Sequence, residues 1–173
     1  MKPLPRRVWR SVIAALVLLT SAVRAQTPPA SSAGAVLSVS GDVPHALTLT
    51  PNDLKAMPRT TVTIVDQGRE VKYTGVLVGE VLAKAGAPLG RALSGPAMAT
   101  YVVATAKDDY QVVFSLGELD PAFTSNDIII ADTVDGQPLF DYQGPFRIVA
   151  PCDKRGARSI RMVQRLEVVR LRK

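Results

Sequence analysis

The sequence predicts an α+β fold, a single domain in which mixed β-sheets are combined with several short helices. Two observations favour this class. Short β-branched and apolar runs recur between turn residues, and the helical segments among them are brief. The helices also do not alternate regularly with the strands, as they would in a doubly wound parallel sheet. The chain contains no internal repeat.

The first half of the predicted domain contains two strand pairs and two helices. Alternating runs predict strands on either side of the Gly41-Asp42 turn, and β-branched runs predict a hairpin around residues 66–68. Thr50–Asp53 begins a short helix, because it supplies an N-cap, a proline at the first helical position and an acid at the third. Apolar residues at helical spacing in Leu77–Ala85 predict a second helix, which Gly86 ends. The four strands are Ala35–Ser40, Ala46–Leu49, Thr60–Val65 and Glu70–Tyr73.

The second half predicts further strands and a basic loop. Leu89–Pro96 is a glycine-containing loop, and Ser115–Glu118 is a capping box that opens one helical turn. Residues 134–137 predict a turn. Pro151 ends the strand before the basic loop, because proline has no N–H for a ladder bond. The predicted strands are Thr100–Thr105, Tyr110–Phe114, Ile128–Ala131, Phe146–Ala150 and Gln164–Leu171.

The N-terminus has the pattern of an export signal. Residues 1–25 combine a basic segment with the apolar run Ser11–Val23, and small residues before Gln26 indicate a cleavage site. The apolar run has about 13 residues, fewer than the roughly 20 that span a bilayer, so no transmembrane span is expected in the mature chain. The Arg6-Arg7 pair does not distinguish export by the general secretory (Sec) route from export by the twin-arginine route. We expect residues 26–34 to form a disordered linker, residues 35–173 to form the domain, and the bacterial periplasm to be its location.

Charge is distributed unevenly along the chain. The 21 basic and 15 acidic residues give a net charge of +6, but five of the basic residues lie in the export signal and the mature chain is close to neutral. Residues 26–146 carry a net charge of −6, whereas residues 147–173 carry +7. A nearly neutral mature chain gives no case for nucleic acid as a partner, and the local concentration of positive charge favours a site for a small anion.

The positive charge is concentrated in Gly144–Arg161, which reads G-P-F-R-I-V-A-P-C-D-K-R-G-A-R-S-I-R. The segment combines a short buried strand with a loop that carries four basic residues. Guanidinium groups and free backbone N–H groups both suit phosphate. Gly156 is expected to allow a backbone conformation that other residues resist. The alternative for the same pattern is a solvated basic surface.

Short motifs occur in a specific order along most of the mature chain, about residues 36–169. They are L-T-L-T (47–50), M-P-R (57–59), Y-T-G-V (73–76), D-D-Y (108–110), S-L-G-E-L (115–119), D-G-Q-P-L (135–139), G-P-F-R-I-V (144–149) and G-A-R-S-I-R (156–161). The ordered set resembles the oxidoreductase molybdopterin-binding domain of the sulfite oxidase type. The resemblance implies that family's fold and molybdopterin as a cofactor.

In that family the late G-A-R-x-V-K segment helps to bind the pterin cofactor and its phosphate. The resemblance therefore implies contacts from Arg158, Ser159 and Arg161, with Arg147 nearby. Arg161 replaces the usual lysine and keeps the charge, whereas Met162 stands where tryptophan is common. The candidate cofactor-binding residues, all in the strand and basic loop, are Arg147, Lys154, Gly156, Arg158, Ser159 and Arg161.

The chain departs from the family at the metal ligand. Family enzymes place a cysteine thiolate on molybdenum in the segment that corresponds to Val62–Tyr73, and this segment contains no sulfur here. Asp66 offers an oxygen ligand, although an aspartate in a D-Q-G sequence is more simply a turn residue. The single cysteine, Cys152, is expected to be buried or half-buried, with a reactive thiolate as the alternative. His45, the single histidine, is expected at the surface and excludes a histidine-based metal site.

Three functions remain open at this point. The first is an exported binding module that holds a pterin cofactor or another small anionic ligand at the basic loop without metal–thiolate catalysis. The second is an active molybdenum-dependent oxidoreductase with atypical ligation or a ligand from a partner. The third is a cofactor-free interaction or sensory domain on the same fold. A redox or membrane partner protein is left open.

Overall fold

The computed structural model describes Gly34, residues 36–66 and residues 68–172. The predicted export signal, and the predicted linker up to residue 33, lie outside the described residues. The strands are β1 (Leu37–Gly41), β2 (Leu47–Leu49), β3 (Thr60–Asp66), β4 (Arg69–Leu77), β5 (Thr100–Ala106), β6 (Gln111–Ser115), β7 (Ile129–Val134), β8 (Gln137–Pro138), β9 (Arg147–Val149) and β10 (Val163–Arg170). Every strand predicted from the sequence is present, and each begins within two residues of its predicted first residue. Strand β4 extends further than expected towards its C-terminus.

The first sheet has five strands in the order β2-β1-β10-β5-β6. It is mixed, because β1 runs parallel to β10 while the other pairs are antiparallel. The register places Val39 of β1 beside Leu166 of β10, and Leu166 beside Ala104 of β5. All three side chains are buried, so one face of this sheet is a continuous apolar surface.

The second sheet joins β3, β4, β7 and β8 in that order, and β9 also pairs with β7. Its pairs are antiparallel. The ladder between β4 and β7 shifts register between Thr74 and Gly75. A Cβ on Gly75 would collide with the carbonyl oxygen of Ile130, so the close approach of these two backbones requires glycine.

The helices are short, and the residues that begin and end them are those predicted. Helix α1 (Pro51–Lys55) has the capping box of Thr50 and Asp53, and helix α2 (Val78–Lys84) is followed by Gly86 with a φ of 80°. The capping box of Ser115 and Glu118 begins a 3₁₀ turn rather than an α-helical turn. The segment predicted as a loop from residue 89 also contains 3₁₀ turns. The 3₁₀ turns are Gly90–Ala92, Gly95–Ala99, Leu116–Leu119 and Gly156–Arg158.

The main hydrophobic core lies between the two sheets and includes the inner side chains of both helices. A second, smaller cluster covers the opposite face of the second sheet, where Tyr73, Ile129 and Val149 pack together. Strand β9 therefore contributes to both clusters, with Ile148 in the main core and Val149 in the smaller cluster. Side chains alternate along a strand, so Arg147 shares the face of Val149.

No helix among the described residues is both long enough and apolar enough to cross a membrane.

Removing the Asp53 carboxylate is expected to lower the free energy of unfolding at neutral pH. In acid the difference from the unmodified chain should be smaller. Asp53 Oδ2 accepts hydrogen bonds from Thr50 N at 2.8 Å and Thr50 Oγ1 at 2.7 Å, and these bonds hold the pKa of Asp53 below its ordinary value of 3.8. A depressed folded-state pKa gives stability that is present above pH 3.8 and is lost as the pH falls through the folded-state value.

Urea unfolding of the Asp53→Ala variant and the unmodified chain, from neutral pH to below pH 3, measures this difference. The free energies of unfolding should converge in acid. The exposed Asp127→Ala serves as the matched control, because its side chain makes no hydrogen bond among the described residues. If the free energy of unfolding of Asp53→Ala were lower than that of the unmodified chain by the same amount at every pH, the capping role would be contradicted.

Candidate functional site

The basic loop after β9 is fixed by hydrogen bonds to the strand that precedes it. Ile148 N donates to Ile160 O at 2.9 Å, and Ala150 N donates to Ser159 Oγ at 3.0 Å. Ser159 N in turn donates to Gly156 O at 3.0 Å, which closes the 3₁₀ turn. The buried hydroxyl of Ser159 therefore anchors the loop to the end of β9.

A cleft of about 610 Å³ lies between this loop and the end of the β3–β4 hairpin. We call it the Arg147 cleft. Its walls come from β3, from β9 and from the basic loop. The residues that line it are Thr63, Ile64, Val65, Asp66, Arg147, Ala150, Pro151, Asp153, Lys154, Gly156, Ser159 and Arg161. The fold thus brings together five of the six residues predicted to bind a cofactor, and only Arg158 is not among them.

Arg147 is a half-buried cation whose hydrogen-bond partners are neutral. Its Nη1 donates to Tyr73 Oη and to Gln143 Oε1, both at 2.8 Å, and its guanidinium carbon lies 4.8 Å from the centre of the Tyr73 ring. Its Nε is buried and has no partner. Among the described residues, the ion pairs involve other arginines. Arg147, which lines the cleft, therefore forms no ion pair among the described residues, and its buried Nε–H lacks a hydrogen-bond partner.

Burial shifts the pKa of both members of this pair. Burial lowers the pKa of Arg147, while the charges of Tyr73 and Asp66 act in the opposite direction. Burial likewise raises the pKa of Tyr73, opposed by the positive charge of Arg147. An anion bound in the cleft would supply the opposite charge that the desolvated guanidinium lacks.

Two further cations and a glycine complete the basic wall. Lys154 is exposed, and Arg161 lies with its guanidinium carbon 5.5 Å from the centre of the Tyr142 ring. The prediction that Gly156 adopts a conformation other residues resist is wrong, because its φ is not positive. A Cβ at Gly156 would also meet no atom within 4 Å, so neither the backbone conformation nor the packing requires glycine at this position.

Arg158 lies outside the cleft lining, in an ion-pair network. Its Nε and Nη2 donate to the two carboxylate oxygens of Asp153 at 2.8 and 2.7 Å, and its Nη1 donates to Glu118 at 3.1 Å. Its guanidinium also covers the ring of Phe114, with 5.0 Å to the ring centre. These bonds to Asp153 and Glu118 hold the pKa of Arg158 above its ordinary value, against the opposing effect of burial. Because Asp153 lines the cleft, Arg158 acts on the site by neutralising that carboxylate.

Replacing Arg158 with alanine is expected to lower stability by about 1–2 kcal/mol, since two carboxylates lose their partner and Phe114 loses its cover. The affinity of the cleft for inorganic phosphate should also fall several-fold, because Asp153 then presents an uncompensated negative charge. The double variant Arg158→Ala/Asp153→Asn should recover the affinity. Calorimetric titration with phosphate measures it, and an affinity loss that the second substitution fails to relieve would assign Arg158 a direct contact.

Tyr73, Gln143 and Asp66 were not among the predicted site residues, although all three act on Arg147. Tyr73 comes from the middle of β4, and Gln143 precedes the cis Gly144-Pro145 bond. The pairing of β4 with β7, and of β7 with β9, brings Tyr73 beside Arg147. Asp66 was interpreted as a turn residue; it ends β3 opposite Arg69 and its exposed side chain lines the cleft.

Replacing Asp66 with asparagine is expected to raise phosphate affinity about two- to fivefold, because it removes a negative charge from an exposed wall of the cleft. Phosphate titration at low and high salt measures the effect, which should shrink as salt screens the charge. Asp127→Asn changes the same charge outside the cleft and should leave the affinity unaltered. An unchanged or weaker affinity in Asp66→Asn would show that Asp66 does not face the bound anion.

Cys152 differs from its prediction. It was expected to be buried or half-buried, and it is exposed. The loop turns immediately after Pro151, so the thiol projects outward while its neighbours Pro151 and Asp153 line the cleft. Within the described part of the chain, no group of three or more His, Cys, Asp and Glu side chains is arranged to hold a metal ion. The predicted surface position of His45 is confirmed.

The two packed sheets, mixed and antiparallel, with few and short helices, define a small domain of the sulfite oxidase-type molybdopterin-binding class. The family model described as oxidoreductase molybdopterin binding domain matches residues 65–173, and the chain belongs to that family. None of the curated proteins with which the chain was compared matches it.

A solved structure supports the fold. The sulfane dehydrogenase SoxCD from Paracoccus pantotrophus superposes with a TM-score of 0.63 at 22% sequence identity. The match covers 80% of this chain but 39% of the SoxCD chain, so this chain spans well under half the length of that protein. The predicted fold and family resemblance are thereby confirmed.

Proposed function

We propose that this chain is an exported binding protein on the molybdopterin-binding scaffold. It holds the phosphate of a pterin cofactor, or another small anionic ligand, in the Arg147 cleft and does so without metal–thiolate catalysis. The observation that carries the proposal is Arg147, a half-buried guanidinium with neutral partners and a buried, unpartnered Nε.

The donor set fits a phosphate. Arg147, Lys154 and Arg161 line one cleft, and the family to which the chain belongs is described as molybdopterin-binding. Two or three cations around one site favour an anion with more than one negative charge, such as a phosphate monoester. Residues of this cleft would hold the phosphate end of the cofactor, which when bound supplies a dithiolene for molybdenum.

The donor set does not fit the metal. By the family resemblance, the segment that corresponds to the one with the metal-binding cysteine is Val62–Tyr73, and this segment contains no sulfur. Asp66 is the carboxylate of this segment that lines the cleft. One oxygen donor does not replace a thiolate, the soft ligand of such a centre. We therefore derive no catalytic step through molybdenum.

Export and location belong to the same proposal and rest on the sequence. The basic and apolar pattern of residues 1–25 supports removal of a signal and delivery to the periplasm. A redox or membrane protein as partner is compatible with that location.

The proposal is tested by purifying the full chain from a host that makes molybdopterin. Pterin is measured by fluorescence after oxidation, and molybdenum by mass spectrometry. We expect pterin or measurable phosphate affinity that depends on Arg147, with molybdenum far below one atom per chain. Absence of both pterin and phosphate binding would favour a cofactor-free interaction domain. Equimolar molybdenum with dye-linked reductase activity would instead show that metal chemistry survives without the cysteine.

A further inference from the structure

A second cleft lies at the end of the first sheet that is far from the basic loop. It measures about 420 Å³, and we call it the Thr100 cleft. Its walls come from the end of β1 and the turn after it, from the segment after α2, from the start of β5 and from the end of β10. Strand β10 begins at Val163, just after the basic loop, and roughly 20–25 Å of extended chain leads from there to Arg170 in this cleft. No residue lines both this cleft and the Arg147 cleft, so the inference is independent of the proposed function.

The Thr100 cleft contains a buried hydroxyl that lacks a hydrogen bond. Thr100 is 3% exposed, and its Oγ1 is one of three buried side-chain atoms that have no hydrogen-bond partner among the described residues. Thr100 begins β5 and shares a face of that strand with Val102 and Ala104, which belong to the main core. Its hydroxyl therefore lies where this row of apolar side chains meets the cleft. A buried hydroxyl without a partner is costly, and a ligand in the cleft would supply the missing hydrogen bond.

A guanidinium lies beside this hydroxyl. Arg170 is directly opposite Thr100 in the pairing of β10 with β5, so the two side chains share one face of the sheet. The Arg170 side chain is exposed, and within the part of the chain that the structure describes it forms neither a hydrogen bond nor an ion pair. The cleft thus combines a free guanidinium with a hydroxyl that has no partner.

The charges around the cleft favour a ligand with a single negative charge. Arg172 Nη2 donates to Asp42 Oδ1 at 2.6 Å, and Arg170 N donates to Asp42 Oδ2 at 2.9 Å. Both carboxylate oxygens of Asp42 are therefore bonded, and its charge is balanced by that of Arg172. The guanidinium of Arg170 is left as one positive charge in excess. Its fork of N–H groups matches the two oxygens of a carboxylate.

We propose that the Thr100 cleft is a binding site for a small organic monocarboxylate. The carboxylate binds the guanidinium of Arg170 and accepts a hydrogen bond from the Thr100 hydroxyl. The short hydrocarbon part of the ligand lies against the apolar side chains of Val43, Pro44 and Pro88, which line the same cleft.

Titrations of the full, ¹⁵N-labelled chain with acetate, butyrate, butanol and inorganic phosphate test the site. The reporter is the Nε–H signal of Arg170, assigned by its absence in Arg170→Gln. Butyrate should shift this signal saturably and bind about three- to tenfold more tightly than acetate, because two more CH₂ groups are buried. Butanol, which has the same chain length but no charge, should bind more weakly than butyrate. A signal that moves with neither acid would overturn the site, and tighter binding of phosphate than of butyrate would overturn the assignment to a carboxylate.

Variants separate the two binding groups. Thr100→Val removes the hydroxyl and keeps the branched shape, so it should lower the butyrate affinity several-fold. Its free energy of unfolding without ligand should stay the same or rise, because the hydroxyl has no partner to lose. Arg170→Gln should lower the affinity about tenfold or more. Arg165→Gln, an exposed arginine of the same strand outside the cleft, is the matched control and should bind as the unmodified chain does. Calorimetric titration with butyrate measures each affinity.

Each remaining outcome decides against the proposal. Full affinity in Thr100→Val, or equal affinity in Arg170→Gln and Arg165→Gln, would overturn it. A marked loss of stability in Thr100→Val would show that the hydroxyl is bonded within the protein, and would overturn it as well. Arg147→Ala should leave the butyrate response of the Arg170 signal unchanged, so failure of this site and failure of the proposed function are measured separately.

Discussion

Replacing Arg147 with alanine is expected to lower the affinity for inorganic phosphate about 10- to 150-fold, as expected when hydrogen bonds worth about 1.5–3 kcal/mol to a charged group are lost. Arg147 is the cation of the cleft with a buried, unpartnered N–H and two neutral hydrogen-bond partners that orient it. Calorimetric titration of the full chain with phosphate measures the loss.

Two variants control for charge and for folding. Arg147→Lys keeps the charge but not the guanidinium fork, so it should recover only part of the affinity. Arg91→Ala removes an exposed arginine outside the cleft and should bind as the unmodified chain does. Equal affinity in Arg147→Ala and Arg91→Ala would mean that the anion binds elsewhere.

Replacing Phe146 with alanine is expected to cost about 3–5 kcal/mol of folding free energy, the range for a large aromatic side chain removed from a core. Phe146 is 0% exposed and belongs to the main core, and its carbonyl accepts a hydrogen bond from Val163 N at 2.9 Å. Its ring therefore fixes the start of β9 and with it the position of Arg147.

Urea unfolding of Phe146→Ala and Phe123→Ala compares the same change at a buried and at an exposed position. Phe123 is 52% exposed, so its removal should change the free energy of unfolding by about 0.5 kcal/mol or less. A loss of similar size in both variants would contradict the claim that the core holds β9 in place.

Much of the fold was predictable because its signals are local. The capping box at Thr50, the hairpin of β3 and β4 and the glycine after α2 are decided by neighbouring residues, and the structure confirms each. The division into two sheets was not predictable from such patterns, because the parallel pairing of β1 with β10 joins residues more than a hundred positions apart. The ordered motifs of the family supplied the fold class, but not the pairing of these strands.

The site was predictable as a region but not as a set of contacts. Basic composition located the loop, and five of its six predicted residues line one cleft. Composition does not show which guanidinium has a carboxylate beside it. Arg158 forms ion pairs with two carboxylates, whereas Arg147 binds the neutral Tyr73 hydroxyl. The partners of Arg147 come from β4 and from the segment before Gly144, so no local pattern connects Tyr73 and Gln143 with this site.

Two local expectations failed for the same physical reason. Gly156 was expected to allow a backbone conformation that other residues resist and Cys152 to be buried or half-buried, and both expectations came from average behaviour of the residue type. In the fold the loop is held by the Ser159 hydroxyl and by the Arg158 ion pairs. With the loop held in this way, Cys152 is exposed and Gly156 does not have a positive φ.

The Nε–H resonance of Arg147 gives the most direct test of the central claim, that this buried donor binds the phosphate of a ligand. Arginine Nε–H signals of the uniformly ¹⁵N-labelled chain are recorded during a phosphate titration, and the Arg147 signal is assigned by its absence in Arg147→Lys. We predict that this signal shifts markedly and saturably while that of Arg91 stays in place. A titration in which the Arg147 signal does not move would contradict the account.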